Sequence, residues 1–202
     1  MKPIFDRLNS LIKQVPAWPL YILCIGHVFW QFYLGLNGAL GPEPIKALEH
    51  AYGGSGLKVL IATLAVTPAR KHLGLNLLKF RRALGLSAFI YILSHLAVWL
   101  VLDIGNVAMI WADIVKRPYI TVGMAGFALL LPLAVTSNNA SIRRLGAASW
   151  RKLHKLTYLA AILGAVHFIM LVKGIQLEPL VFLAVILALI SSRFTRKRLR
   201  AA

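Results

Sequence analysis

Residues 150–170 read WRKLHKLTYLAAILGAVHFIM, which approaches an ideal membrane-spanning helix in length and apolarity. The stretch begins in a basic cluster and carries His154 and His167. Because an imidazole is costly in hydrocarbon, two histidines on one membrane-length helix need a functional or structural explanation. His95 lies in a second stretch of this kind. Three histidines therefore mark the interior of a predicted membrane region.

The composition extends this interpretation to the whole chain. Of its 202 residues, 59% are hydrophobic and 14% are charged, and the mean hydropathy is +0.73. A soluble domain has roughly a quarter of charged residues, so we predict a polytopic membrane protein. The net charge of +17 comes from short basic clusters between apolar runs. These clusters lack the interleaved aromatic residues of a strand-binding groove, so nucleic acid is not an expected partner.

Six apolar stretches approach the roughly 20 residues that a bilayer core requires. They lie at 18–37, 56–72, 83–103, 118–136, 150–172 and 175–192. The predicted fold is all-α, a polytopic bundle of six transmembrane helices that forms a single membrane domain. Its expected parts are an N-terminal segment with the first span, a central core, and a last span with a basic tail, at 1–55, 56–172 and 173–202.

The basic residues alternate with the spans. They lie before the first span and after the second, fourth and sixth, whereas the other loops carry most of the acidic residues. By the positive-inside rule, both termini are expected in the cytoplasm. The clusters are Lys2, Arg7 and Lys13; Arg70, Lys71, Lys79, Arg81 and Arg82; Arg143, Arg144, Arg151, Lys152 and Lys155; and Arg193, Arg196, Lys197, Arg198 and Arg200.

The sequence also excludes several kinds of redox site. Cys24 is the only cysteine and lies in an apolar run. It cannot by itself form a disulfide framework, an iron–sulfur site or a covalent haem attachment, so any haem must be b-type. The chain has neither a P-loop nor a dinucleotide-binding glycine motif. If this protein moves electrons, it must take them from another protein or from a lipid-soluble donor.

His95 and His167 are predicted to lie at a similar depth. His95 lies twelve residues from the inner end of its span, about 18 Å, and His167 lies seventeen residues from its own, about 25 Å. Both would be in the outer half of the bilayer. There, two imidazoles on facing helices can hold the iron of a b haem. The alternative is that each is a buried histidine bonded to a neighbouring helix.

His154 and Arg81 are candidates at the inner face. His154 precedes His167 by thirteen residues, which places it about 20 Å lower and about 140° around a straight helix. It is either an inner haem ligand or an interfacial histidine, and Gly164 could permit a local irregularity between the two. Arg81 lies within about 40° of the face of His95. It could bind a haem propionate or a flavin phosphate, or only orient the protein.

The remaining histidines have simpler explanations. His27 lies in the middle of the first span, where packing and a functional role are both compatible with its position. His50 is expected in an outer loop and His72 at an inner boundary, both in contact with solvent.

Four segments carry a resemblance to a known family. They are LKVLIATLAVTPAR (57–70), FRRALGLSAFIYILSHL (80–96), KRPYITVGMAGFALLLPLAVTS (116–137) and RRLGAASWRKLHKLTYLAAILGAVHF (143–168). In combination they resemble MsrQ, formerly YedZ, the haem-binding membrane subunits of periplasmic methionine sulfoxide reductase systems. That family belongs to the ferric-reductase-like transmembrane group, so the resemblance implies that 56–172 is a haem-binding core.

The resemblance implies specific site residues. His95 and His167 would be the axial ligands of one haem b. In two-haem relatives, two histidines on each of two helices hold stacked haems, but here Arg81 or Arg82 takes the place of one inner histidine. A second haem, with His154 as a ligand, therefore stays open. FMN near the basic inner loops is implied by likeness to the family alone.

The function that the resemblance implies is electron transport, with no catalytic residue in this chain. Electrons from a quinol, or from a flavin reduced by a cytosolic reductase, would reach MsrP, a periplasmic molybdopterin enzyme that repairs methionine sulfoxide in proteins. This chain would be the electron-transfer subunit rather than the substrate-reducing enzyme. The alternatives are a haem-containing ferric or cupric reductase subunit, and a haem-free transporter or assembly factor.

Overall fold

In the part of the chain that the structure, a computed structural model, describes, the regular secondary structure is entirely helical and the helices are joined by short turns and loops. That part is residues 2–198, with side chains over 5–106 and 108–193. The end of the predicted basic tail, including Arg200, lies outside the described residues. The helices are α1 (Lys2–Gln14), α2 (Pro19–Leu36), α3 (Pro44–Pro68), α4 (Arg81–Val98), α5 (Val107–Lys116), α6 (Pro118–Val135), α7 (Asn139–Leu145), α8 (Ala147–Leu153), α9 (Leu156–Leu171) and α10 (Leu177–Arg198).

Four helical stretches among the described residues are long and apolar enough to cross a membrane. They are Pro19–Leu36, Leu78–Ile104, Pro118–Val135 and Ala147–Leu171. These correspond to the first, third, fourth and fifth predicted spans, and the all-α prediction is confirmed. The count of six spans and the cytoplasmic position of the termini stay predictions.

The helix at the second predicted span begins twelve residues earlier than 56. Proline is well tolerated in the first turn of a helix, and Pro44 provides the start of α3. The first half of α3 is polar and rich in glycine, so a search for apolar stretches does not detect it as part of a long helix. His50, expected in a loop, therefore lies on α3 and is exposed.

Two helix pairs form the centre of the bundle. Among the described residues, α3 with α4 and α6 with α9 make the most extensive contacts, and α10 packs on both α3 and α9. Small residues at these interfaces, such as Ala88, Ala161 and Ala165, are completely buried and let the helix backbones approach closely. This arrangement brings α4, which carries His95, beside the helices that surround His167.

The fifth predicted span is interrupted. α8 ends at Leu153, His154 and Lys155 form a turn, and α9 begins at Leu156. The irregularity lies at this turn rather than at Gly164, which is inside α9 with a Leu57 methyl 3.5 Å from where its Cβ would be. The angle of about 140° calculated for a straight helix therefore does not relate His154 to His167.

Candidate haem ligands and a basic pocket

His95 of α4 and His167 of α9 face each other and are called the histidine pair below. Their ring centroids are 6.2 Å apart and their planes meet at 76°. An iron bound by one nitrogen of each ring, at about 2 Å from each, would need ring centroids about 6 Å apart. The structure brings together the two residues that the sequence selected, at a spacing that fits one iron between them.

Hydrogen bonds select the tautomer of both rings. His95 Nδ1 lies 2.9 Å from the backbone oxygen of Glu49, and His167 Nδ1 lies 2.7 Å from that of Tyr119. A carbonyl oxygen can only accept a hydrogen bond, so each Nδ1 carries the proton. The Nε2 atom of each neutral ring then keeps its lone pair. Histidines that ligate metals are commonly oriented in this way by a partner on the other ring nitrogen.

Two glycines bring helix backbones against these rings. A Cβ atom built on Gly123 of α6 would lie 2.8 Å from His167 Nδ1, and one on Gly53 of α3 would lie 3.3 Å from His95 Nδ1. The first distance is shorter than side-chain carbons tolerate. Sequence reasoning missed both glycines. The available signal was a glycine inside an apolar helix, where it is unfavourable unless close packing requires it.

Polar contacts join three segments beside the histidine pair. Arg117, directly before α6, donates to Asp113 of α5 and to the Tyr119 hydroxyl at 3.0 Å, and lies 3.8 Å from Asp103. Trp99 Nε1 also donates to Asp113, at 3.2 Å. The hydrogen bond with Asp113 raises the pKa of Arg117. These contacts fix the start of α6, where the Tyr119 carbonyl orients His167.

A cavity of about 320 Å³ lies at the other end of the bundle and is called the basic pocket below. This volume is within the usual range of ligand and cofactor pockets. Its described lining contains four cations and no carboxylate, a composition that favours an anionic ligand. The lining residues are Leu60, Thr63, Leu64, Leu78, Lys79, Arg81, Arg82, Gly85, Phe89, Leu130, Leu133, Ala134, Ser137, Trp150, His154, Thr157, Tyr158 and Arg193.

The arginines of the basic pocket are held differently. Arg193 donates to the Tyr158 hydroxyl at 2.8 Å and to the Leu64 carbonyl at 2.6 Å. Arg82 donates to Asn139 at 2.7 Å. The guanidinium of Arg81 has no hydrogen-bond partner in the described part of the chain, so it can bind a ligand without losing an existing contact. Sequence reasoning selected Arg81 and Arg82 but treated Arg193 only as a topology signal.

His154 lines the basic pocket, and its hydrogen bond selects a different tautomer from that of the histidine pair. Its ring stacks on Trp150, with centroids 3.8 Å apart, and its Nε2 lies 3.1 Å from the Thr136 hydroxyl oxygen. That hydroxyl has one proton, which it donates to the Pro132 carbonyl at 2.7 Å. His154 Nε2 therefore donates, and the lone pair of the neutral ring is on Nδ1.

The other histidines do not join these sites. His27 lies 3.0 Å from the Tyr91 hydroxyl and 3.2 Å from the Gln31 side chain, so both of its ring nitrogens have neighbours within its own part of the bundle. These contacts favour a packing role. His72 is exposed, as expected.

Comparisons with known proteins indicate the family of the chain. Residues 59–165 match the family model described as ferric reductase like transmembrane component. Relatives from Brucella ovis, Brucella canis and Brucella abortus are each 50% identical over 188 residues, which are 93% of this chain and 85% of theirs. Each is named "Protein-methionine-sulfoxide reductase heme-binding subunit MsrQ". No solved structure matches the chain significantly. The chain therefore belongs to the MsrQ family of haem-binding membrane subunits, as its four resembling segments predicted.

Proposed function

We propose that this chain is a b-type haem electron-transfer subunit that supplies a periplasmic methionine sulfoxide reductase of the MsrP type. The observation that carries the proposal is the histidine pair, whose ring centroids are 6.2 Å apart and whose Nε2 atoms are left available by the carbonyl contacts at Nδ1. Haem iron with two histidine ligands exchanges electrons without binding a substrate. The relatives' printed names support both haem binding and the association with a methionine sulfoxide reductase.

The proposal includes six membrane-crossing helices in a bacterial inner membrane, with both termini cytoplasmic. α3 supports this count because it packs along α4, with Gly53 against His95 and Thr63 beside Gly85. The Leu64 carbonyl accepts a hydrogen bond from Arg193 in the basic pocket. α10 likewise runs along α9. With the basic clusters inside, the basic pocket faces the cytoplasm and the histidine pair is near the periplasm.

We further propose that the basic pocket binds FMN. Its free guanidinium at Arg81 and the neighbouring cations suit a phosphate, and the stacked Trp150 and His154 rings offer a flat surface for a flavin. A second haem is the alternative occupant. That haem would need to bind His154 through Nδ1, or through Nε2 after the hydrogen bond between Nε2 and the Thr136 hydroxyl is broken. The electron donor would be a quinol or a flavin reduced by a soluble enzyme.

Arg81→Ala is expected to weaken FMN binding at least tenfold, which is about 1.4 kcal/mol, because the phosphate loses its free cationic partner. Quenching of flavin fluorescence by the protein in nanodiscs measures the affinity. Arg70→Ala is the matched control, since Arg70 is an exposed arginine at the same end of the bundle, outside the basic pocket. Equal FMN affinity in both variants would show that FMN does not use this pocket.

The function itself is tested by reoxidation. The protein, reduced with dithionite and freed of excess reductant, is expected to be reoxidised by a purified MsrP-type reductase together with methionine sulfoxide. Ferric or cupric chelates should oxidise it more slowly. The haem absorbance reports both rates. Faster oxidation by the chelates would favour the metal-reductase alternative, and a colourless protein from haem-supplied cells would exclude both haem functions.

A further inference from the structure

Lys58 places a cation in the middle of α3, a helix that the six-span arrangement proposed above places across the membrane. It lies fourteen residues after Pro44 and ten before Pro68, the ends of α3, or about 21 Å and about 15 Å along the axis. The flexible stem of a lysine cannot carry its ammonium to either end over such distances. The side chain is exposed on the bundle surface, which at this depth means that it faces lipid.

A lipid-facing ammonium near the bilayer centre needs a partner. In the part of the chain that the structure describes, no carboxylate forms an ion pair with Lys58. Its contact is with the ring of Phe182 on α10, whose centroid is 5.9 Å from Nζ. This cation–π contact satisfies no N–H donor of the ammonium. The donors therefore remain available to an acceptor that arrives through the membrane.

Contacts between aromatic rings connect Lys58 with the neighbourhood of the histidine pair. Phe182 packs on Phe168 of α9, with ring centroids 6.1 Å apart and planes at 39°. Phe168 directly follows His167 in the chain. Along α3, Gly53 lies against His95 five residues before Lys58, and Leu64 reaches the basic pocket six residues after it. Lys58 is therefore at a level between the two candidate sites.

From this juxtaposition we propose that Lys58, Phe182 and Phe168 form a binding site for the headgroup of a membrane quinone. The ammonium donates a hydrogen bond to a ring oxygen, which is a hydroxyl oxygen in the electron-donating quinol and a carbonyl oxygen in the quinone, and the phenylalanine rings pack against the flat headgroup. The site rests on the electron-transfer function proposed above and names the place where a lipid-soluble donor binds.

The position and neighbours of Lys58 favour this class of ligand. A water-soluble anion does not reach a lipid-facing site near the bilayer centre, and a phospholipid headgroup lies at the membrane surface. A second copy of this chain, in a two-fold contact over this face, would place the two Lys58 ammonium groups against each other, where they repel. A carboxylate on a partner helix would pair with the ammonium but has no need of the aromatic rings. A quinone headgroup can interact with both the ammonium and the aromatic rings.

The test measures quinone binding by the haem-loaded protein in phosphatidylcholine nanodiscs. The probes are decylubiquinone and, for the naphthoquinone class, menadione. Lys58→Met is expected to lower the affinity for at least one probe tenfold or more, whereas Lys58→Arg keeps most of it. Lys46→Met is the matched control because Lys46 is an exposed lysine on the same helix, paired with Glu43 near its start. Haem content and dithionite reduction should be unchanged in all variants.

A photoreactive azidoquinone gives a second readout that does not require the variants to fold. Label is expected in the α3 segment around Lys58 or at Phe182 of the wild-type protein, and excess decylubiquinone should compete it away. The site would be overturned if Lys58→Met bound the quinones with unchanged affinity, or if the label that decylubiquinone displaces were found only in other segments. It would also be overturned if the wild-type protein showed no saturable quinone binding, a result that would favour a carboxylate of a partner helix as the ligand of Lys58. A wild-type protein that binds quinone at this site but contains no haem would instead contradict the proposed function without contradicting the quinone site.

Discussion

Replacing His95 or His167 by alanine is expected to remove most of the haem from the purified protein. The two rings face each other at 6.2 Å, and each contributes one of the two Nε2 atoms available to the iron. Even the outer hydrogen-bond partners of metal ligands are commonly worth 10–100-fold in affinity, so loss of a ligand should lower haem content about tenfold or more. The ratio of haem to protein, from a pyridine haemochrome assay, measures this loss.

His27→Ala is the matched control for these variants. His27 is also a histidine within a predicted span, but its contacts are Tyr91 and Gln31 rather than the histidine pair. It should keep normal haem content. His154→Ala should keep the haem of the histidine pair, and would lower the total only if the basic pocket holds a second haem. Near-normal haem in both His95→Ala and His167→Ala would disprove the ligand assignment.

Gly123→Ala is expected to have the second largest effect although it adds only one methyl group. The new Cβ would lie 2.8 Å from His167 Nδ1, so the ring must move away from the Tyr119 carbonyl that orients it. Haem content should fall severalfold, and the Soret band of the remaining haem should shift. Gly53→Ala, with its Cβ 3.3 Å from His95 Nδ1, should have a smaller effect.

Gly54→Ala separates this steric effect from a change in helix propensity. Gly54 lies within α3, and a Cβ there would meet nothing within 4 Å. Alanine is favoured over glycine inside a helix by up to about 1 kcal/mol, so this variant should bind haem normally and unfold at an equal or higher temperature. If Gly123→Ala behaved in the same way, the close approach of α6 to His167 would have no role in haem binding.

The sequence predicted the helical class, four spans that the structure also has as candidates, and the meeting of His95 with His167. Each of these depends on local properties, namely the length of an apolar run and the number of residues between a histidine and the end of its helix. The partners of these residues depend on packing between distant segments. The Glu49 and Tyr119 carbonyls and the contact of Lys58 with Phe182 have no signature in a single stretch of sequence.

The turn at His154 shows the limit of reasoning from helical periodicity. A continuous apolar pattern predicted one helix over 150–172, but the chain turns at His154 and Lys155 and then resumes as α9. The Trp150 stack and the Thr136 contact hold His154 in the basic pocket, and both depend on where α6 ends. Angular relations along the sequence therefore failed where tertiary contacts interrupt the helix.

Under the proposed function, the supports of the histidine pair also bear on the rate of electron transfer. Each ring is fixed by a backbone carbonyl and by a glycine that brings a helix against it. A ligand restrained in this way has little freedom to shift when a bound metal gains or loses an electron. We therefore expect a small inner-sphere reorganisation energy at this site. The helix backbones would speed electron transfer by keeping both oxidation states in nearly the same geometry.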